Sequence, residues 1–225
     1  MLLLRVVAAF ALVLGLLMGA VFFAAGTVHY WQGWAYVVAL SLPAAAMYGY
    51  FLRNDPAVVE RRLRQREREP EQRLIMRIGK PLFLMVFILP SLDYRLGWSG
   101  HLWGAEPMWL MLLALALVFA GMASTGWVIW VNRYAGRTIR VEQGQTVIST
   151  GPYALVRHPM YTASLAVWLF TPLALGSYVT LPVFALLLPV YVLRIRNEEA
   201  VLRRELAGYA EYCERTRYRL FPVVW

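Results

Sequence analysis

A dense group of Gly, Pro, Tyr, Arg and His residues stands just before a long apolar stretch in the C-terminal third of the chain. Its members are Gly151, Pro152, Tyr153, Arg157, His158, Pro159, Met160 and Tyr161. Gly151-Pro152 is a turn signal that exposes backbone amides, and Pro159 suits the first turn of a helix. Amides at such a place can bind an anionic or polar group. Taken alone, Arg157 and His158 favour a plainer interpretation, the cytosolic end of a membrane span.

A second charged cluster follows the same apolar stretch and contains Arg194, Glu198 and Glu199. Residues four apart share a helix face, so Arg194 and Glu198 can present one cation and one anion to a common cavity. The structural alternative is an ordinary ion pair within the helix, worth a few tenths of a kcal/mol. Because both ends of one apolar stretch deliver charged groups to the same rim, we interpret them as a functional site.

The apolar segments that position these groups are suited to a bilayer. Of the 225 residues, 60% are hydrophobic and 16% are charged, whereas soluble domains have roughly 25% charged residues. The apolar residues are concentrated in the blocks 2–25, 34–52, 81–92, 107–131 and 160–193. About 20 helical residues cross the hydrocarbon layer, so the sequence predicts an all-α, polytopic membrane helix bundle. The first block is too long for a signal peptide and is interpreted as a span.

The basic residues predict which loops face the cytosol. Of the 22 Lys and Arg residues, nine lie in 53–80, twelve lie at Arg5, in 133–157 and in 194–219, and only Arg95 lies on the other side. This bias predicts a multi-pass protein with both termini in the cytosol, which we expect in a bacterial inner membrane. The same topology accounts for the net charge of +9, so we expect membrane lipid and no nucleic acid as partner.

Two cytosolic termini require an even number of crossings. The block 160–193 is too long for one span and carries Pro172 and Gly176, so we predict a C-terminal helical hairpin with limbs of roughly 22 Å. Pro90 should kink or end the third helix, although the segment from Leu74 can extend it. We predict six crossings, with five plus a re-entrant hairpin as the alternative. The mixed charges of 60–68, in the basic loop 53–80, predict a solvated helix over the leaflet.

The C-terminal motifs form an ordered set. After the run that ends at Tyr161 come Glu198, Glu199 and Leu202, then Gly208, Tyr209, Ala210, Glu211 and Tyr212, then Leu220, Phe221 and Pro222. This set resembles the isoprenylcysteine carboxyl methyltransferase family, whose wider group includes the phospholipid N-methyltransferases. The likeness covers roughly residues 138–222. It implies a methyltransferase-like cofactor-binding region over 132–225, whereas the N-terminal transmembrane helices over 1–131 match only as generic membrane helices.

The resemblance implies an enzyme that binds S-adenosylmethionine in a cytosolic pocket and methylates a lipophilic or small acceptor, such as a prenylcysteine-type carboxylate. It assigns the cofactor to Gln145, Val147, Ile148, Gly151, Tyr153, His158, Pro159, Met160, Tyr161, Glu198 and Glu199. Glu198 would meet the cofactor's amino group, and Arg194 would be the catalytic residue that holds the acceptor. Relatives often carry a histidine at the position of Gln145, which can still hydrogen-bond. No metal is implied, since the transfer depends on positioning and desolvation.

Two other classes stay open at this point. A membrane sterol reductase shares a similar C-terminal arrangement and would respond to NADPH. A non-enzymatic membrane protein that retains the fold would bind no cofactor.

Cys213 is the only cysteine, which excludes an intrachain disulfide and zinc sites built on Cys pairs and indicates a structural thiol. The sequence determines neither the methyl acceptor, whether carboxylate, thiol or amine, nor the oligomeric state.

Overall fold

The computed structural model describes residues 1–64, 70–104, 106–136, 138 and 141–225. Within these ranges the regular secondary structure is helical and includes no strand. The helices are α1 (Leu2–Met18, continued by a π-helical turn over Gly19–Phe23), α2 (Trp31–Asn54), α3 (Pro56–Arg64), α4 (Pro70–Leu96), α5 (Trp98–Trp103), α6 (Met108–Val131), α7 (Pro159–Ala174), α8 (Leu181–Glu205) and α9 (Tyr209–Arg215). The predicted all-α class is confirmed.

Four helices in the described ranges are long and apolar enough to cross a membrane. They are Leu2–Phe23, Trp31–Asn54, Glu71–Leu96 and Met108–Val131. Large apolar side chains such as Leu12 in α1 and Trp109 in α6 are 64% and 65% exposed. Hydrocarbon rather than water suits such faces, so these helices are the predicted spans of a polytopic membrane protein.

Helix α4 is longer than the apolar block that predicts it. It begins at Pro70 and continues through Pro81 and Pro90 to Leu96. The predicted extension toward the N-terminal side is confirmed, whereas the helix does not end at Pro90. Other groups in a membrane bundle can satisfy the carbonyls that a proline leaves unpaired. Next to Pro90, the Ser91 hydroxyl donates to the Phe87 carbonyl at 2.9 Å, which neighbours the Val86 carbonyl that Pro90 leaves without its helical donor.

The block 160–193 forms two helices, as predicted. Helix α7 ends at Ala174, the turn 175–180 contains Gly176 at a φ of 76°, and α8 begins at Leu181. Asp93 of α4 fastens this turn, since Ser177 donates to its carboxylate at 2.5 Å. Helix α7 has 16 residues, or about 24 Å. A complete crossing by the hairpin therefore stays a prediction.

Helices α6 and α7 approach closely at Gly121. A Cβ atom there would lie 2.9 Å from Val167 Cγ2 and 3.0 Å from the Ala163 carbonyl oxygen, closer than side chains pack. From α2, the Tyr36 hydroxyl lies 2.8 Å from Thr171 Oγ1 in α7. The close approach holds α7, whose first residues carry the candidate site, against the spans.

The described part of the basic loop differs from the predicted solvated helix. Helix α3 buries Val58 and Val59, each 1% exposed, in a cluster with apolar residues of α1, α2 and α6. An apolar face on α3 therefore packs onto the bundle, while Arg61 and Arg62 contact the segment that follows α6. The charged residues 65–68 of the same prediction lie outside the described residues.

Candidate functional site

A large cavity extends from the space between the spans to the charged ends of α7 and α8. Its volume is about 770 Å³. The part between the spans is lined by apolar side chains, namely Val13, Leu16, Leu17 and Ala20 of α1, Leu40 of α2, Leu84 and Phe87 of α4, and Met122 of α6. The other part is lined by the segment 132–161 and by residues of α8 and α9. One cavity thus joins an apolar chamber to a polar one.

Most of the residues predicted from sequence line this cavity. The lining includes Gln145, Val147, Ile148, Tyr153, His158, Pro159, Met160, Tyr161, Arg194 and Glu198. Gly151 and Glu199 lie outside the lining. Gly151 begins the helical turn Gly151–Ala154 at a φ of 58°, and a Cβ atom there would lie 3.2 Å from the Val131 side chain. Gly151 therefore lets the loop pack against Val131 and does not itself contact the cavity.

Tyr161 links the two charged residues of α8 that were predicted to share a cavity. Arg194 Nε donates to the Tyr161 hydroxyl oxygen at 2.8 Å, and that hydroxyl donates to Glu198 Oε2 at 2.6 Å. Charge-assisted hydrogen bonds of this kind are the stronger ones in proteins. The chain of bonds places a guanidinium and a carboxylate along one wall of the cavity, with a phenol between them.

Glu199, the neighbour of Glu198, lies at the centre of a buried ionic cluster. Its carboxylate lies 2.8 Å from Arg157 Nε, 3.3 Å from His158 Nε2 and 3.0 Å from Arg219 Nη2. Burial by itself raises the pKa of Glu199, but the His158 hydrogen bond and the Arg157 charge, with the Arg219 bond, lower it to about 2. The cluster fastens the 151–158 loop and the C-terminal segment to α8.

Backbone pairing completes that attachment. The amides of Arg157 and His158 donate to the carbonyls of Tyr218 and Arg219, each at 2.9 Å. The Thr162 hydroxyl of α7 donates to the carbonyl of Leu220 at 2.7 Å. The closing motif of the sequence therefore lies beneath the loop that lines the cavity.

Residues 109–207, from the second residue of α6 to the second residue after the end of α8, match the sequence model of the phospholipid methyltransferase family. This region is similar to that family, and we call it the methyltransferase-type region. The resemblance inferred from the C-terminal motifs is thereby confirmed at the level of this group. The methyltransferase-type region includes the loop, the hairpin and both charged residues of α8 that line the cavity.

Two curated proteins are similar to parts of the chain. The cobalt-zinc-cadmium resistance protein CzcN of Cupriavidus metallidurans is 30% identical over 142 residues, which cover 62% of this chain and 61% of CzcN. The delta(14)-sterol reductase TM7SF2 of Mus musculus is 32% identical over 91 residues, which cover 39% of this chain and 22% of the reductase. The chain thus matches about three fifths of the first protein and about a fifth of the second.

Several cavity residues were not predicted from the sequence. Thr138, Tyr209 and Tyr212 line the polar chamber, and the Thr138 and Tyr209 hydroxyls are buried without a hydrogen-bond partner among the described residues. Burial raises the pKa of Tyr153, Tyr209 and Tyr212, so these phenols stay protonated at neutral pH. In the sequence, the motif around Tyr209 and Tyr212 was the one signal for two of these unpredicted residues, and Thr138 had none.

Asn132 and Tyr134, which follow α6, also line the polar chamber and were not predicted. Helix α3 holds this segment, since Arg62 Nη1 donates to the Ala135 carbonyl at 2.7 Å and Arg61 lies over the Tyr134 ring at 5.6 Å. No group of three His, Cys, Asp or Glu side chains in the described ranges is placed to hold a metal ion.

Proposed function

We propose that this protein is an integral membrane S-adenosylmethionine-dependent methyltransferase whose acceptor has an apolar body and a polar group beside Arg194. The observation that carries the proposal is the continuity of the cavity. An apolar chamber between the spans opens into a polar chamber that Arg194 and Glu198 line. A lipophilic acceptor and a polar cofactor can meet at that junction.

The polar chamber has features that fit S-adenosylmethionine. Glu198 offers a carboxylate for the cofactor's ammonium group, a charge-assisted contact. The buried hydroxyls of Thr138 and Tyr209 lack partners among the described residues, and a bound polar molecule would satisfy them. Val147 and Ile148 supply apolar surface in the same chamber, and Gln145 adds a hydrogen-bonding amide.

The bound cofactor would supply a methyl group that the acceptor's lone pair takes as the carbon–sulfur bond breaks and its electrons return to sulfur. The protein's part is to orient the acceptor and to exclude water. Arg194 presents a planar donor fork that suits a carboxylate. A carboxylate acceptor loses no proton on methylation, whereas a thiol or an amine must lose one. We therefore favour a prenylcysteine-type carboxylate, with a thiol or a lipid amine as alternatives.

In this proposal, the N-terminal helices (1–131) form the walls of the apolar chamber. The cofactor-binding region (132–225) forms the polar chamber. With both termini in the cytosol, the polar chamber faces the cytosolic supply of cofactor. The basic residues on that side suit the anionic surface of a bacterial inner membrane.

A second candidate function is that of an NADPH-dependent membrane reductase. The 91-residue similarity to a sterol reductase is the observation that favours it. Calorimetric titration of the detergent-purified protein with S-adenosylmethionine, S-adenosylhomocysteine and NADPH separates the candidates. We expect the first two ligands to bind and NADPH not to bind. Binding of NADPH alone would favour the reductase, and binding of none of the three would favour a non-enzymatic protein.

Methyl transfer is measured in parallel with labelled S-adenosylmethionine and a prenylcysteine analogue in mixed micelles. The matched control is the methyl ester of the same analogue, whose carboxylate is already blocked. We expect label in the free acid and none in the ester. Equal labelling of both would move the acceptor atom away from the carboxylate, to the sulfur or the amine.

A further inference from the structure

Gln72 is a fully buried amide in the first turns of α4, with 0% of its surface exposed. Its Oε1 accepts a hydrogen bond from Arg194 Nη1 at 3.1 Å. Its Nε2 donates to Asn197 Oδ1 at 2.9 Å and to the Arg194 carbonyl at 3.3 Å. Gln72 does not line the cavity, yet it contacts the guanidinium that does.

The position of the Gln72 amide is constrained by its other partners. Asn197 Oδ1 is an acceptor, so the NH₂ end of Gln72 faces Asn197 and the oxygen end faces Arg194. The Asn197 amide nitrogen in turn donates to the Glu71 carboxylate. A network whose members are all paired holds its groups more rigidly than a single bond does.

Tyr161 and Gln72 both hold the guanidinium of Arg194. Tyr161 takes Nε and Gln72 takes Nη1. Because the guanidinium is planar, bonds at two of its nitrogens fix the direction of the plane as well as the position of the charge. An arginine on a long flexible stem otherwise presents its fork in many orientations.

We propose that Gln72 is a positioning residue that sets the plane of Arg194 for the acceptor, an inference that rests on the proposed methyl transfer. The N-terminal helices then supply more than the apolar wall of the cavity. They also hold the acceptor-binding arginine, through the Gln72 contact from α4. The specificity for a planar anionic group depends on α4 as well as on the hairpin.

Two substitutions at residue 72 test the proposal. Gln72→Met keeps the length of the side chain but removes the oxygen that accepts from Arg194, whereas Gln72→Glu keeps an acceptor oxygen there. We expect Gln72→Met to lower kcat for the prenylcysteine analogue between about tenfold and a hundredfold, because a misplaced acceptor reacts slowly. Its affinity for S-adenosylmethionine should change less than twofold. Gln72→Glu should recover part of the lost kcat.

Arg73→Ala, an exposed neighbour on α4, serves as the matched control and should leave all parameters unchanged. Melting temperatures report whether each variant is folded. If Gln72→Met does not fold, Asn197→Ala removes the partner that orients the amide and should lower kcat by a smaller factor. Wild-type kcat in the folded Gln72→Met protein, or in Asn197→Ala where the former is unfolded, overturns the positioning role. Absence of methyl transfer in the wild-type protein overturns the proposed function instead.

Discussion

The Tyr161 hydroxyl donates to Glu198 at 2.6 Å. The same oxygen accepts a hydrogen bond from Arg194 at 2.8 Å, so the residue that we propose binds the cofactor and the residue that we propose holds the acceptor share one phenol. A substitution at either end can disturb the other through Tyr161. The variants that separate the two roles must therefore keep the size of the side chain and, where possible, its bond to the phenol.

Glu198→Gln should weaken S-adenosylmethionine binding about tenfold or more. The amide retains an oxygen for Tyr161 but loses the negative charge, and a hydrogen bond to a charged group contributes roughly 1.5–3 kcal/mol. Calorimetry on the folded variant measures the effect. Glu205→Gln, an exposed carboxylate at the end of the same helix, is the control and should bind normally. Unchanged affinity in Glu198→Gln would move the ammonium contact to another residue.

Arg194→Lys should lose methyl transfer while S-adenosylmethionine affinity stays near normal. Lysine keeps the positive charge but lacks the planar fork that contacts Tyr161 and Gln72, so it cannot orient a carboxylate in the same way. We expect kcat to fall by about a hundredfold. Transfer to the prenylcysteine analogue and cofactor affinity are measured on the same preparation. Near-normal turnover would show that Arg194 serves only as a structural cation.

Because Glu199 is buried and ionised, the free energy of unfolding should decrease as the pH becomes acidic. Its pKa is about 2 in the folded protein, against an ordinary value of 4.5. Because the folded-state pKa is lowered, its stabilising contribution is present above about pH 5 and is lost as the pH falls toward 2. Glu199→Gln leaves Arg157 and Arg219 without their anion and should cost about 3 kcal/mol near neutral pH.

Melting curves of the wild type and of Glu199→Gln in detergent, taken from pH 7 to pH 3, test this expectation. The difference in melting temperature should be several degrees at pH 7. It should shrink below about pH 5, where Glu199 of the unfolded wild type takes up a proton that the folded state does not bind. A difference that stays constant over this range would mean that the charge of Glu199 does not contribute to stability.

Gly121→Ala should destabilise the packing of α6 on α7. The added methyl would lie 2.9 Å from Val167 and 3.0 Å from a backbone oxygen, and overpacking of this kind typically costs about 1–3 kcal/mol. Gly126→Ala on the same helix is the control, because its Cβ atom would meet Met47 at an ordinary 3.5 Å. We expect a lower melting temperature for Gly121→Ala alone. Equal melting temperatures would mean that the helices adjust without cost.

Reporter fusions should place Gly144 and Trp225 on the cytosolic side and Gly100 on the external side. The expectation follows from the basic residues, of which only Arg95 lies near the external side. An alkaline phosphatase reporter is active outside, and a fluorescent protein reporter folds inside. External activity at Gly144 would separate the polar chamber from its cofactor supply and would contradict the proposed function.

The parts of the site that follow local patterns could be predicted from the sequence. Arg194 and Glu198 are one helical turn apart, and both line the cavity as that spacing indicates. Pro172 and Gly176 marked the end of α7 and the turn of the hairpin. The extension of α4 before its apolar block also followed from the sequence, whereas Pro90 was given too much weight as a helix breaker.

The parts that depend on tertiary packing could not be predicted. Gln72 lies 122 residues from Arg194 in sequence, and nothing in its polar surroundings marks it as a buried partner. Glu198 and Glu199 are adjacent, yet side chains of consecutive helical residues point about 100° apart. One therefore lines the cavity while the other joins Arg157, and sequence alone does not distinguish them.

Residues 218–220 pair with the 151–158 loop and with α7, and this pairing affects the order in which the site can form during translation. These residues are translated after the four helices that are long and apolar enough to cross a membrane in the described ranges, and after both limbs of the hairpin. Until they leave the ribosome, Arg157 and His158 lack the carbonyls that receive their amides, and Glu199 lacks Arg219. The polar chamber is therefore completed only after the helices around the apolar chamber have been translated.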